Sequence, residues 1–194
     1  MASFLGAIDL DRDKRLEVGR AAPIASDVAK RLAVPRQWFN TEAALAQYER
    51  ADWRNVQRDL VKFSCCFIEE MRSIGVPFFV VDAWRSPEAQ REKVAEGVSR
   101  AMPFQAPHVH GAAVDIIHGR YAWSLSEAEW KWVGAKGKAV ASKIHLPIEW
   151  GGDWSFYDPA HWEVPFSEGS PPDPGGELRV SSRFELARLA GVRS

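Results

Sequence analysis

Apolar residues recur at helical spacing in one long stretch of the chain. Val56, Leu60, Phe63, Phe67, Met71 and Ile74 follow one another at intervals of 4, 3, 4, 4 and 3. That draws one apolar stripe down a helix predicted from about Asp52 to Ile74. Gly75 fits the position just past the helix end, and Pro77 prevents continuation. Phe78 to Trp84 then reads as a buried strand, a mostly apolar run rich in aromatic and β-branched residues. Ser86 fits an N-cap with Pro87 behind it, opening a helix that ends at Gly97. Ala112 to Ile117 reads as a second strand. Ser126 and Glu129 form a capping-box pattern ahead of Trp130, Val133, Val140 and Ile144. Gly134 and Gly137 weaken that helix but allow close packing. Short strands are expected around Ile148 to Trp150 and His161 to Val164.

Upstream, Ile24, Val28 and Leu32 recur every four residues before Pro35, and Thr41 can cap a short helix through Ala44, Leu45 and Tyr48. Downstream, Ser167 to Glu177 holds three Pro and three Gly and reads as a linker, with Phe184 to Leu189 a short docking helix or frayed end. Three parts are therefore expected: a helical and loop extension over 1–51, a core over 52–166, and a tail over 167–194. Helices and strands mix without strict alternation, so the fold class is α+β.

Composition narrows the function classes. With 25 Lys+Arg against 26 Asp+Glu in 194 residues, the net charge of −1 argues against nucleic acid as the main partner. The longest apolar run, Val76 to Val81, is far too short for a membrane span. Met1 to Ala7 is apolar but brief, and Asp9, Asp11 and Asp13 follow at once, so no secretory signal is expected. Those aspartates do not make a calcium loop, because Lys14 and Arg20 stand where Gly and Glu are required. Cys65 and Cys66 are neighbours and read as small core-facing residues. Nine Trp suit either sugar binding or large core filler. Glu69 and Glu70 lie on the polar side of the long helix, Ser64 and Cys65 have no His nearby in sequence, and no phosphate-binding Gly loop is present.

The chemistry concentrates in three segments. His108 precedes Asp115 by seven residues, with Gly111 and Ala113 between them letting the backbone pass close to a metal. Asp158 stands three residues before His161. A hydrolytic zinc site needs three protein ligands and an open position, and His108, Asp115 and His161 would supply two nitrogens and one oxygen. Zinc lowers the pKa of its water to roughly 7. Asp158 would take the water's proton and pass it to the leaving amine. Arg85, at the end of the first strand, is the candidate cation for the oxyanion. His118 and His145 read as loop or helix-end residues.

These segments resemble the zinc peptidases that act on peptidoglycan stems. Trp84-Arg85-Ser86-Pro87-Glu88-Ala89-Gln90 is similar to their Tyr-Arg-Ser-x-Glu-x-Gln segment, His108 to Asp115 to their H-x-x-G-x-A-x-D motif, and Trp150-Gly-Gly-Asp-Trp154 with Asp158-x-x-His161-Trp162-Glu163 to their closing segments. The resemblance covers roughly residues 52 to 166. It implies a small antiparallel sheet with helices packed on it and the zinc site in a cleft on the sheet, as in the hedgehog and D,D-peptidase folds. It also implies one zinc ion on His108, Asp115 and His161, Asp158 as general base, and Arg85 on the scissile carbonyl. Gln90, His110, Trp150 and Asp153 are candidates to line the substrate cleft. Two positions depart from the pattern: Ala106 replaces a usual Ser, and Trp84 a usual Tyr. His110 offers a rival register, but only His108 matches the His-to-Asp spacing of the motif.

The expected substrate is the peptide stem of bacterial peptidoglycan, cut at L-Ala-D-Glu by a phage or prophage lysin. Such a protein is expected to be a monomer, to be made in the host cytoplasm and to act on the wall after release. A D-Ala-D-Ala carboxypeptidase or dipeptidase is the alternative within the same chemistry. A non-catalytic peptidoglycan-binding or virion structural module is the alternative of another class, and the completeness of the site speaks against it.

Overall fold

The computed structural model describes residues 22–165. The readings made on the N-terminal aspartates, the Pro/Gly-rich linker and the segment Phe184 to Leu189 lie outside the described residues. Five α-helices, α1 (Ala22–Leu32), α2 (Glu42–Gln47), α3 (Arg58–Ser73), α4 (Pro87–Ala95) and α5 (Glu127–Lys143), accompany four strands, β1 (Phe78–Asp82), β2 (Ala113–His118), β3 (Glu149–Trp150) and β4 (His161–Glu163). The strands form one antiparallel sheet in the order β1-β2-β4-β3, so the class is α+β. No helix among the described residues is long and apolar enough to cross a membrane.

Helix α3 starts six residues later than the apolar stripe suggests. Trp53 and Val56 are buried, but they reach the core from an irregular segment. Asp52 turns back to accept from the Arg54 backbone N–H, Asn55 has a φ of 59°, and the Gln57 N–H donates to Gly111 C=O. Its other end is as expected. Gly75 adopts a φ of +80°, the Val76 N–H donates to Met71 C=O and the Gly75 N–H to Arg72 C=O. This is the paired bond pattern of a Schellman stop, which needs a left-handed residue. Helix α4 carries the Ser86 cap with Pro87 in the first turn, and α5 carries the full reciprocal capping box of Ser126 and Glu129. The wholly buried His118 departs from its expected place, since it ends β2. Its Nε2 meets Leu32 C=O, and its Nδ1 accepts from the Arg120 and Tyr121 N–H groups. His145 does sit just past the end of α5, with a φ of 57°.

Residues 22–51 pack on the same body as the rest. Leu32, Phe39 and Ala44 are buried, and Gln47 Nε2 donates to Gly119 C=O at 2.7 Å.

Alternation along the strands gives the sheet two different faces. Phe78, Ile116 and Trp162 face α3 and α5. The Trp162 ring lies 5.1 Å from Phe63, 5.7 Å from Phe67 and 5.9 Å from Trp150. Gly134 lies under the Trp150 ring and Gly137 under that of Trp162, so both glycines serve close helix-to-sheet packing. Trp53, Trp130, Trp150 and Trp162 are core, whereas Trp123 is exposed. On the other face, Asp115 of β2 stands opposite His161 of β4.

The β1–β2 pairing contains a one-residue irregularity. Phe78, Phe79 and Val80 pair with His118, Ile117 and Ile116, but Asp82, not Val81, pairs with Asp115. Directly opposed residues share a face. The bulge therefore turns Asp82 onto the face of Asp115, away from the helices.

Gly137→Ala tests the helix-to-sheet contact. The added methyl would improve helix propensity by about 1 kcal/mol, but it runs into the Trp162 ring. The expected outcome is a net destabilisation of about 1–3 kcal/mol in a denaturant melt.

Candidate metal centre

Three short segments meet at the open face of the sheet. The first is a 3-10 turn, Pro107–His110, whose last carbonyls are closed off by Gly111 at a φ of +64°. A Cβ at Gly111 would collide with the backbone of Asn55, so the turn and the segment before α3 approach each other only with glycine there. The turn is also bonded to the segment after β1. The Arg85 N–H donates to His108 C=O at 3.1 Å, and Trp84 Nε1 donates to Val109 C=O at 3.1 Å. His108 Nδ1 donates to Ala83 C=O at 2.7 Å. That bond fixes the tautomer, because a carbonyl can only accept, and it leaves Nε2 as the ring's donor atom for a metal.

Nε2 of His108 lies 3.4 Å from Asp115 Oδ1, and Nδ1 of His161 lies 3.1 Å from the same oxygen. The two imidazole rings are 5.1 Å apart at 73°. Each of the three residues offers a ligand atom, and these atoms lie within 4.8 Å of one another. The histidines are buried and Asp115 is partly exposed. Two imidazoles and a carboxylate are a donor set suited to a catalytic zinc ion. The rival register through His110 is not the one brought together, since His110 Nε2 meets Phe104 C=O at 3.0 Å.

His161 has a second partner that the sequence reading left without a role. Its Nε2 donates to Glu163 Oε2 at 2.9 Å. The signal was available in the sequence: residues two apart on a strand share a face, and the order is His161-Trp162-Glu163. With Nε2–H held by Glu163, Nδ1 is the atom left for a metal. A metal held here would meet opposite ring nitrogens of the two histidines, each set by the bond the other nitrogen makes.

The electrostatics fit this arrangement. Burial works against the charge on Asp115, but the two neighbouring histidines more than offset it and hold the carboxyl well below the usual range. Burial also works against a charged His161, yet the hydrogen bonds of Asp115 and Glu163 prevail and raise it to about 9. Without a metal, a proton takes the cation's place between these carboxylates.

Asp158 stands beside the cluster. Its backbone N–H donates to Gly151 C=O at 3.0 Å, and its C=O accepts from the His161 N–H at 3.2 Å. Burial, and then the nearby charge of Asp115, push its carboxyl above the usual range, while His161 and His108 pull the other way. Arg85 is mostly buried. Its Nη1 donates to Gln90 Oε1 at 2.5 Å and its Nη2 to the Asp82 carboxylate that the bulge turned outward.

The remaining cleft candidates have other surroundings. Gln90 is wholly buried, holding Arg85 with its oxygen and donating from Nε2 to Ser99 Oγ at 2.9 Å and Ala101 C=O at 2.7 Å. Trp150 is buried against Trp162 and donates from Nε1 to Pro159 C=O at 2.9 Å, steadying the loop that carries Asp158. Asp153 is exposed and paired with Lys138 at 2.7 Å. Trp154, a neighbour of these, lies 5.2 Å from the His161 ring. Ala106, buried, offers no side-chain cap to the histidine turn.

An α+β sheet that presents two imidazoles and a carboxylate, with a half-buried acid beside them, has the make-up of a mononuclear hydrolase centre. The family model described as phage L-alanyl-D-glutamate peptidase matches residues 44–165, and the chain belongs to that family. It is an L-Ala-D-Glu peptidoglycan endopeptidase of the phage type. Among solved structures it is similar to the Serratia marcescens L-Ala D-Glu endopeptidase ChiX, at 27% identity and a TM-score of 0.49 over 61% of this chain and 92% of that one. No curated protein matches the chain.

Two outcomes are expected from metal titrations. Because His161 holds its extra proton up to about pH 9, a metal must displace that proton below this pH. Titration calorimetry in buffers of different ionisation enthalpy should show about one proton released per Zn2+ bound at pH 7, with affinity rising as pH rises toward 9. Glu163→Gln should weaken Zn2+ binding by about 10- to 100-fold with the fold unchanged.

Proposed function

We propose that the metal is a single zinc ion held by His108, Asp115 and His161, that Asp158 is the general base, and that Arg85 steadies the scissile carbonyl. The observation that carries this reading is the convergence of those three donors, each histidine with its other ring nitrogen held by a hydrogen bond, beside the half-buried Asp158 carboxylate. Mixed N/O donors suit zinc, which when bound supplies Lewis acidity toward the amide carbonyl and the attacking water.

The protein's own groups do the rest. The Asp158 carboxylate accepts a proton as the water oxygen adds to the L-Ala carbonyl carbon. Its raised pKa makes it a stronger base than an exposed aspartate, able to hold the proton until the departing nitrogen takes it. The C–N bond then breaks, the proton passes from Asp158 to the departing nitrogen, the water's second proton follows it, and the products are an L-Ala carboxylate and a D-Glu ammonium group. The Arg85 guanidinium is held by Asp82 and Gln90 on two of its N–H groups, which leaves others to meet negative charge on the carbonyl oxygen. The substrate is the peptide stem of peptidoglycan, and the enzyme works on it as a monomer after release to the wall.

Peptidoglycan fragments analysed by mass spectrometry after digestion should show new amino termini on D-Glu, abolished by a chelator and restored by Zn2+. Release of D-Ala or D-Ala-D-Ala instead would move the cut to the far end of the stem. Asp158→Ala should keep folding and metal content while losing at least about 100-fold in kcat. His161→Ala should lose the metal, and full zinc occupancy in that variant would overturn the ligand set.

A further inference from the structure

The substrate sets a requirement that the metal centre does not meet. A D-Glu residue joined to the rest of the stem through one carboxyl keeps the other as a free carboxylate. That charge leaves with the amine product, within one residue of the bond that breaks. Its recognition calls for a cation at the cleft rim that no protein carboxylate already occupies.

Arg85 is a poor choice, because the Asp82 carboxylate compensates its charge. Arg100 is different. It is exposed, and among the described residues it has no carboxylate partner. Its two chain neighbours are held by one side chain, because Gln90 Nε2 donates to Ser99 Oγ and to Ala101 C=O, while the oxygen of the same amide holds Arg85. One buried glutamine therefore ties the position of Arg100 to that of Arg85. The guanidinium lies 5.0 Å from the centre of the Phe156 ring, and Phe156 is two residues before Asp158. Arg100 thus spans from the wall that carries Arg85 to the loop that carries the proposed base. Phe156 is itself exposed, so the pair forms an outward-facing platform and not a core contact. A stacked guanidinium keeps its edge N–H groups free for a bidentate carboxylate.

We infer that Arg100, held over Phe156, is a specificity-determining residue that binds the free carboxylate of the substrate's D-Glu. This inference rests on the L-Ala-D-Glu activity and names the group that reads the D-Glu side of the bond.

The test compares two synthetic stem peptides, one containing L-Ala-D-Glu and one in which the free carboxylate of that residue is a carboxamide. The Zn2+-loaded wild type should prefer the carboxylate peptide in kcat/KM by about tenfold or more. Arg100→Gln should lower kcat/KM on the carboxylate peptide by about tenfold, chiefly through KM. Its loss on the carboxamide peptide should be smaller, so that the preference collapses toward unity. Arg100→Lys should recover part of the preference. Equal losses on both peptides, or an unchanged preference in Arg100→Gln, would overturn the inference and leave the peptidase activity standing. Cleavage of neither peptide by the wild type would overturn the activity itself and this inference with it.

Discussion

Strand β4 is three residues long and serves two environments at once. Trp162 points into the helices, where it meets Phe63, Phe67 and Trp150 and lies against Gly137. His161 and Glu163 point the other way and form one half of the candidate metal site. The pleat makes the two sides inseparable, since a slip of one residue would exchange them. Burial of a large indole is worth on the order of 2–3 kcal/mol or more. That apolar contact keeps His161 aimed at Asp115 and Glu163 at His161. The position of the site is therefore governed by packing behind the sheet at least as much as by bonds in front of it.

On the front, the ligand groups are oriented by bonds that do not involve the metal. Ala83 C=O sets the ring of His108, and Glu163 sets that of His161. The segment after β1, the histidine turn and the loop to β4 are joined by backbone bonds, Arg85 to His108, Ile116 to Ala160 and Asp158 to Gly151. Such cross-links let a site on loops keep the spacing that chemistry requires. The positive charge on metal-free His161 follows from the same design. A place built for a cation between Asp115 and Glu163 stabilises a proton when nothing else is there.

Much of this was legible in the chain. Caps were the most local signals and were read closely: Ser86 with Pro87, Ser126 with Glu129, and Gly75 each depend on a few adjacent residues. The candidate ligands were legible because motif order encodes them, and the structure brings His108, Asp115 and His161 together. Features that depend on distant partners were harder to see. The start of α3 was misplaced because Trp53 and Val56 continue the apolar stripe while the backbone there bonds to Gly111 instead. Gln90 looked like a cleft residue, yet it is buried, because its spacing does not reveal that Ser99 and Ala101 fold back onto it. The role of Glu163 needed only the two-residue period of a strand, a signal that was present but not used.

The bulge in β1 decides which face of the sheet receives the Asp82 carboxylate. Up to Val80 the strand is in one register, and from Asp82 it is in another. Without the bulge, at the same chain length, Val81 would stand opposite Asp115 and Asp82 opposite Val114, in the regular ladder a strand adopts by default. That register would also rotate a carboxylate toward the helices and strip Arg85 of its counter-charge. The most regular version of this strand would be the one that leaves Arg85 without its carboxylate.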